Sequence, residues 1–333
     1  MEINFKIKLY AEMLRIRCIE EKIAEKYPEG KMRCPTHLSI GQESVPVALS
    51  SIINKDDFAV STHRGHAHYL AKGGSLKKMI AEIHGKVSGC SRGKGGSMHL
   101  IDKNVFFMGT SAIVGNSIPL GVGLSLSAKL KSTEQISCIY LGDGAIEEGV
   151  FYESINFAIL KKLRVLFVCE NNLYSVYSPL SVRQPEGRKI SEMIKGFGID
   201  TTSCDGNEII SCVKNLNKIV PEIRKECKPH FIEFKTYRWR EHCGPNYDNN
   251  IGYRTNEEFE LWARKDPIKN LKLKILEEDN SMIQNLNRIK REIDDEVNEA
   301  FIDAEKAPFP DRSEAYQGLY SHNQNKFHLE VKE

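Results

Sequence analysis

Two short motifs carry residue types that can hold a charged ligand. Gly142-Asp143-Gly144 follows an apolar, β-prone run, Ile136–Leu141, and Asn171-Asn172 follows a second one, Val165–Cys169. Between Gly144 and Asn171 lie 26 residues, and Glu147–Leu160 within them has helical periodicity. Strand, helix, strand at this spacing is a βαβ unit, whose two strands run parallel. Ligand sites in open parallel sheets lie at the carboxyl ends of the strands. Neighbouring strands are about 4.8 Å apart, so Asp143 and Asn172 can converge on one ion if their strands are close in the sheet. One carboxylate and one amide oxygen make a sparse, hard oxygen site of the kind Mg²⁺ accepts, its shell completed by phosphates and water. The glycines flanking Asp143 allow a tight turn and the approach of a bulky anion. Taken singly, Asp-Gly and Asn-Asn are turn signals; their pairing at matched strand ends points to a site.

Other candidates are weaker on their own. His63, His66 and His68 have i, i+3, i+5 spacing among glycines, which suits a polar loop beside a phosphate better than any standard metal-ligand pattern. Gly93–Ser97 (GKGGS) hints at a phosphate loop, but no Ser or Thr follows the lysine and no strand precedes it. His242 alone reads more often as a surface or core histidine than as a catalyst. Of the nine cysteines, none forms a Cys-x-x-Cys pair; Cys138 and Cys169 read as core thiols and Cys243 as the one facing a site.

These residues need a scaffold, and the rest of the chain supplies one. Residues 4–27 alternate apolar and charged positions at helical spacing. Helical patterns recur at Leu76–Ile83, Leu120–Leu130 and Glu208–Lys225, and His230–Thr236 reads as a third strand of the same sheet. After Asp266-Pro267 the chain is charged and helical to about Lys306. Its apolar positions Leu271, Ile275, Ile283, Leu286, Ile289, Ile293 and Val297 fit a solvated helix pair packing on the body or on a partner. The expected division is an N-terminal helix over 1–30, an α/β domain over 31–265 and a helical extension and tail over 266–333.

The chain has 333 residues, 41% hydrophobic and 28% charged, which fits a globular protein with a sizeable core. A net charge of +2 provides no broad basic surface for nucleic acid. No apolar run approaches the ~20 residues that span a bilayer, and the first residues, MEINFKIKLY, lack a signal core. Scattered cysteines in odd number fit free thiols in a reducing cytoplasm.

The stretch GDGAIEEGVFYESINFAILKKLRVLFVCENN resembles the thiamine-diphosphate motif, which opens with Gly-Asp-Gly and closes with Asn-Asn. More closely, the chain resembles the alpha subunit of the decarboxylating first component of 2-oxo acid dehydrogenase complexes, including the pyruvate and acetoin types. HLSIGQES (37–44), STHRGHAHYLAKG (61–73), GKGGSMHL (93–100), IVGNSIPLGVG (113–123), VCENNLYS (168–175), TYRWREH (236–242) and APFP (307–310) fall in family order over about residues 10 to 320.

The resemblance implies an α/β thiamine-diphosphate-binding fold: a parallel sheet flanked by helices, with helical N- and C-terminal extensions. It further implies that Asp143, Asn172 and the backbone carbonyl of Tyr174 hold Mg²⁺, which bridges the cofactor's two phosphates. Gly144 and Ala145 open the helix that follows, whose N-terminal amides suit the diphosphate, and Gly142 before them is a further cofactor contact. Arg64, with His63 beside it, reaches the diphosphate oxygens. Ile113 and Val114 support the aminopyrimidine and hold the cofactor bent, and Ala112 before them is a further cofactor contact. His242, and with it His63, serves the reacting end as donor or acid/base group. The glutamate that activates the cofactor belongs in this family to a beta subunit, so the implied active species is an alpha2beta2 heterotetramer. It decarboxylates a 2-oxo acid, by default pyruvate, and passes the acyl group to a lipoyl acyltransferase component.

The chain departs from the family pattern in three places. Arg33-Cys34-Pro35-Thr36 replaces a usual Gly-Phe at the substrate end, and Thr110-Ser111-Ala112 replaces a usual Gly-Asn-Gly. The loop after His242, CGPNYDNNIGYR, is about two residues longer than in pyruvate types, follows Glu241 in place of a usual Gly, and has Cys243 where animal subunits carry a regulatory serine. His63 stands where pyruvate types often have Tyr, as in the acetoin branch. Acetoin dehydrogenase, a transketolase-like carboligase with an aldehyde acceptor, and a non-catalytic scaffold are therefore the rival readings.

Overall fold

The computed structural model describes residues 1–317; the last part of the expected C-terminal extension, 318–333, lies outside the described residues. Six strands form one parallel sheet: β1 (Phe58–Thr62), β2 (Phe107–Ser111), β3 (Ser137–Gly142), β4 (Val165–Asn171), β7 (Asp200–Asp205) and β8 (His230–Lys235), in the order β2-β1-β3-β4-β8-β7. Two-residue strands β5 (Tyr174–Ser175) and β6 (Ser178–Pro179) make a separate hairpin. The expected parallel pairing of the two motif-bearing strands holds: β3 and β4 are adjacent, with Gly142 opposite Glu170. His230–Lys235 joins the same sheet beside β4.

Strand β4 is buried along its whole length, which explains its unbroken apolar reading. Three strands of the six-stranded sheet escaped the sequence reading, as did the hairpin β5–β6. β1 and β2 are five residues each, and the outermost β7, DTTSCD, is polar and largely exposed, so none carries a run or a clean alternation. The sheet order reverses direction between β1 and β3, because the chain first adds β2 on one side and then β3 on the other. A crevice at the carboxyl ends of β1 and β3 is the favoured ligand position in such a sheet.

Helices cover both faces. Ser117–Leu130 packs on β1 and β3, and there Gly121 permits contact: a Cβ at that position would lie 2.4 Å from Ile139 and 2.8 Å from Val60. On the other face Ile3–Lys26 buries Leu9, Met13, Ile16, Ile19 and Ile23, one stripe at three- and four-residue spacing. The C-terminal helices Pro267–Glu278 and Ile283–Lys306 pack against this long helix. Leu271, Ile275, Leu286, Ile293 and Val297 are buried as the periodicity indicates, whereas Ile283, the first residue of its helix, is exposed.

Candidate functional site

The carboxyl ends of β1 through β4, with the chain leaving β8, surround one cleft of about 200 Å³. His63 and Arg64 follow β1, Ala112, Ile113 and Val114 follow β2, and Gly142 through Ala145 end or follow β3. Asn172 and Tyr174 follow β4, and His242 is reached through Thr236–Arg240 beyond β8. The structure thus brings the twelve residues that the resemblance implied for the site to one cleft. It adds His37, Gln42, Glu170 and, behind Asp143, Arg183. His37 and Gln42 lie within HLSIGQES, so their motif was visible; nothing in the sequence distinguished Arg183.

Asp143 begins a short 3-10 turn, Asp143–Glu147, and the α-helix starts only at Gly149. The amides of Gly144 and Ala145 therefore belong to this turn and not to the first turn of the helix, a correction to the sequence expectation. The Asp143 side chain is buried; one oxygen accepts the Asn172 amide N–H at 3.3 Å and the other pairs with Arg183. Burial pushes its carboxyl pKa up, with Arg183 opposing.

The two asparagines have different tasks. Asn171 turns into the sheet and donates to Glu233 at 2.8 Å, whereas Asn172 lines the cleft, its Nδ2 donating to Gln42 at 3.2 Å. The Asn172 side-chain oxygen accepts the Tyr174 N–H at 3.2 Å and retains a further lone pair. The Tyr174 phenol donates to Glu258 at 2.8 Å, away from Asp143, so Tyr174 has only its backbone to offer an ion there.

Arg64 is buried, and its guanidinium donates to the carbonyls of Leu38 at 2.7 Å and His242 at 3.0 Å. Among the described residues no carboxylate forms an ion pair with it. Burial lowers its pKa to about 9. A desolvated cation with no carboxylate in direct contact, beside a cleft, is chemically suited to an anion.

His37, His63 and His242 stand edge to face with ring centroids 4.6, 5.0 and 5.3 Å apart. Burial, then the Arg64 charge, lowers His63 to about 4 and His242 to about 3, and His37 lies lower still than its ordinary value. All three are neutral at physiological pH and present N–H donors and lone pairs to the cleft. This group forms where the sequence suggested His63, His66 and His68. His66 instead bonds Glu20 and Ser97, both at 2.7 Å, and His68 bonds Ser61 and Glu170 at 2.6 and 3.1 Å. They hold the helix His66–Ala71 in place.

The glycine loop also has a structural task. The amides of Ser91, Gly93, Gly95 and Gly96 donate to the Glu82 carboxylate at 2.6 to 3.1 Å, so an internal anion fills the nest. The loop after His242 is pinned from within the chain. Gly244 N–H donates to Thr36, Arg254 pairs with Asp248, and Arg254 donates to the carbonyls of Arg238 and Trp239.

A divalent cation and a diphosphate fit this donor set. A buried carboxylate and an amide oxygen adjoin it on one side, an unpaired guanidinium faces it on the other, and Gly142 leaves the floor clear, since a Cβ there meets nothing within 4 Å. Ile113 and Val114 form the open wall, 68% and 47% exposed. Fold and cleft together define an α/β protein whose cleft, at the switch point of its sheet, has a lining suited to an anionic ligand.

Comparison with known proteins narrows the class. The model of a family described as dehydrogenase E1 component matches residues 11–313. The chain is 35% identical over 314 residues to the pyruvate dehydrogenase E1 component subunit alpha of Rickettsia bellii, covering 94% of this chain and 95% of that one. It is 34% identical to the subunit of the same name from Rhizobium meliloti, at 94% and 89% coverage. With the chloroplastic alpha-3 subunit of Arabidopsis thaliana the identity is 32%, at 95% and 74% coverage. The chain belongs to the dehydrogenase E1 component family.

Proposed function

We propose that this chain is the alpha subunit of a thiamine-diphosphate- and Mg²⁺-dependent 2-oxo acid dehydrogenase, with pyruvate as the default substrate. We place it in the cytoplasm, in an alpha2beta2 heterotetramer that passes its acyl group to a lipoyl acyltransferase. The observation that carries this reading is the cleft itself: Asp143 and Asn172 at adjacent strand ends, opposed by Arg64 with no carboxylate in direct contact. The names of the relatives support pyruvate as the first substrate to assay.

Bound thiamine diphosphate supplies the carbanion chemistry that decarboxylates 2-oxo acids. Asp143, Asn172 and the Tyr174 carbonyl would hold Mg²⁺, and Arg64 would neutralise diphosphate charge that the ion leaves over. Gly144 and Ala145 offer backbone N–H groups to the same anion. Ile113 and Val114 supply an apolar support for the cofactor's rings and, with the partner subunit over them, exclude water. His242 and His63, neutral and within one imidazole cluster, are equipped to donate to a substrate oxygen at N–H and to take up a proton at the other ring nitrogen.

The test is an assay of the chain reconstituted with its beta subunit, Mg²⁺ and thiamine diphosphate. Reduction of an artificial electron acceptor that depends on pyruvate supports the reading. Consumption of an added aldehyde, with a product of higher carbon number and no acceptor reduced, favours the carboligase. Native mass spectrometry checks for two alpha and two beta chains carrying the cofactor; a cofactor-free chain in the assembled complex would count against the site.

A further inference from the structure

Arg183 lies outside every motif named above, yet from behind the cleft wall it contacts Asp143, which lines the cleft. Its Nη2 pairs with the carboxylate of Asp143, its Nη1 donates to Glu147 at 2.8 Å, and its Nε donates to the Ser178 carbonyl at 3.1 Å. The pair is well shielded: the Arg183 side chain is 10% exposed and that of Asp143 1%. The guanidinium also lies against the Gly142–Gly144 turn, with Nη1 3.8 Å from where a Cβ of Gly144 would be. It is therefore beside the amides that face the cleft. Two cations cannot share one buried carboxylate oxygen without strong repulsion at low local dielectric.

We propose that Arg183 couples the loading of metal and diphosphate. As the counter-charge of Asp143 it competes with a divalent cation that arrives alone. Displaced from Asp143, it stays beside the Gly142–Gly144 turn through Glu147 and pairs across that turn with the diphosphate that accompanies the ion. This inference rests on the reading of Asp143 as a metal ligand. Its consequence is that ion and diphosphate bind together far better than either binds singly.

The two halves predict opposite effects of one substitution. In the assembled complex of this chain with its beta subunit, Mn²⁺ alone is titrated by the loss of the free-ion EPR signal. Thiamine diphosphate is then titrated at saturating Mn²⁺ by calorimetry. Arg183→Gln is expected to bind Mn²⁺ alone about tenfold more tightly, the equivalent of about 1.4 kcal/mol, and thiamine diphosphate about tenfold more weakly. Arg183→Lys, which keeps the charge, should stay within about threefold of the unmodified protein in both titrations, on the scale of a single retained ion pair. A merely structural arginine would weaken both on removal, and that outcome, or no change in the Mn²⁺ affinity, overturns the proposal. Asp143→Asn separates the two levels. If it abolishes Mn²⁺ binding while Arg183→Gln fails to tighten it, only the coupling falls. If Mn²⁺ binding survives Asp143→Asn unchanged, the metal-site reading falls and the coupling with it.

Discussion

At the scale of single residues the cleft combines groups that burial has pushed away from their ordinary ionisation. Burial pushes the Asp143 carboxyl up and its partner Arg183 opposes that rise; Asp143→Ala and Asn172→Ala should each abolish Mg²⁺-dependent binding of thiamine diphosphate, measured by calorimetry on the assembled complex. Retained affinity in both would refute the site. The histidines give a pH prediction with a definite sign. His63 takes up its proton only near pH 4 in the fold but near 6.5 in an unfolded chain. Between those values the unfolded state binds more protons, so stability falls as pH falls from about 6.5 to 4, by at most about 1.4 kcal/mol per pH unit for this one group. Urea unfolding from pH 7 to 4.5 should show a shallower acid loss in His63→Gln, and an equal slope would show that His63 does not titrate as its burial implies.

At the scale of elements, the sheet and the helix that crosses from β2 to β3 set the positions of these residues. The helix Ser117–Leu130 lies close on the sheet because residue 121 has no side chain. Gly121→Val should destabilise the chain by about 1–3 kcal/mol through overpacking, read as a fall in Tm. Gly123, exposed on the same helix with open space at its Cβ, is the control: Gly123→Ala should leave Tm unchanged or raise it, since helix propensity favours Ala by about 0.8–1.0 kcal/mol. The helix starts are legible to different degrees. Asp266 caps the helix at Pro267, accepting from the amides of Ile268 and Lys269, a pattern visible in the Asp-Pro pair. The turn Asp143–Glu147 has no such marker, and its 3-10 geometry emerges only in the fold.

At the scale of the whole molecule, apolar surface is left uncovered next to the cleft. Ile113 and Val114 on its open wall are exposed, and so are Leu120, Phe157 and Leu160 on the helices Ser117–Leu130 and Gly149–Leu160, which pack on each other. Exposed apolar residues grouped in this way mark association surfaces. Leu120→Lys should lower the yield of complex with the beta subunit, judged by size-exclusion chromatography, while leaving the Tm of the chain alone within about 0.5 kcal/mol of equivalent stability. Full assembly by the variant would place the interface elsewhere. No helix among the described residues is long and apolar enough to cross a membrane.

Much of the architecture was determined by local pattern. The βαβ unit, the long terminal helices and the placement of Asp143 and Asn172 at strand ends follow from apolar periods and from turn residues, which act over a few positions and so remain visible in one dimension. The family likewise was legible, because its motifs are runs of consecutive residues. What the tertiary structure decided are pairings between distant segments. Arg183 meets Asp143 across 40 residues, and Arg64 meets His242 across 178. His37 joins His63 and His242 while the nearer His66 and His68 turn into the core. The short strands β1, β2 and β7 formed where neighbours offered a ladder, not where their own residues called for one. Such contacts depend on which chain ends a twisted sheet brings together, and no spacing within the sequence encodes that directly.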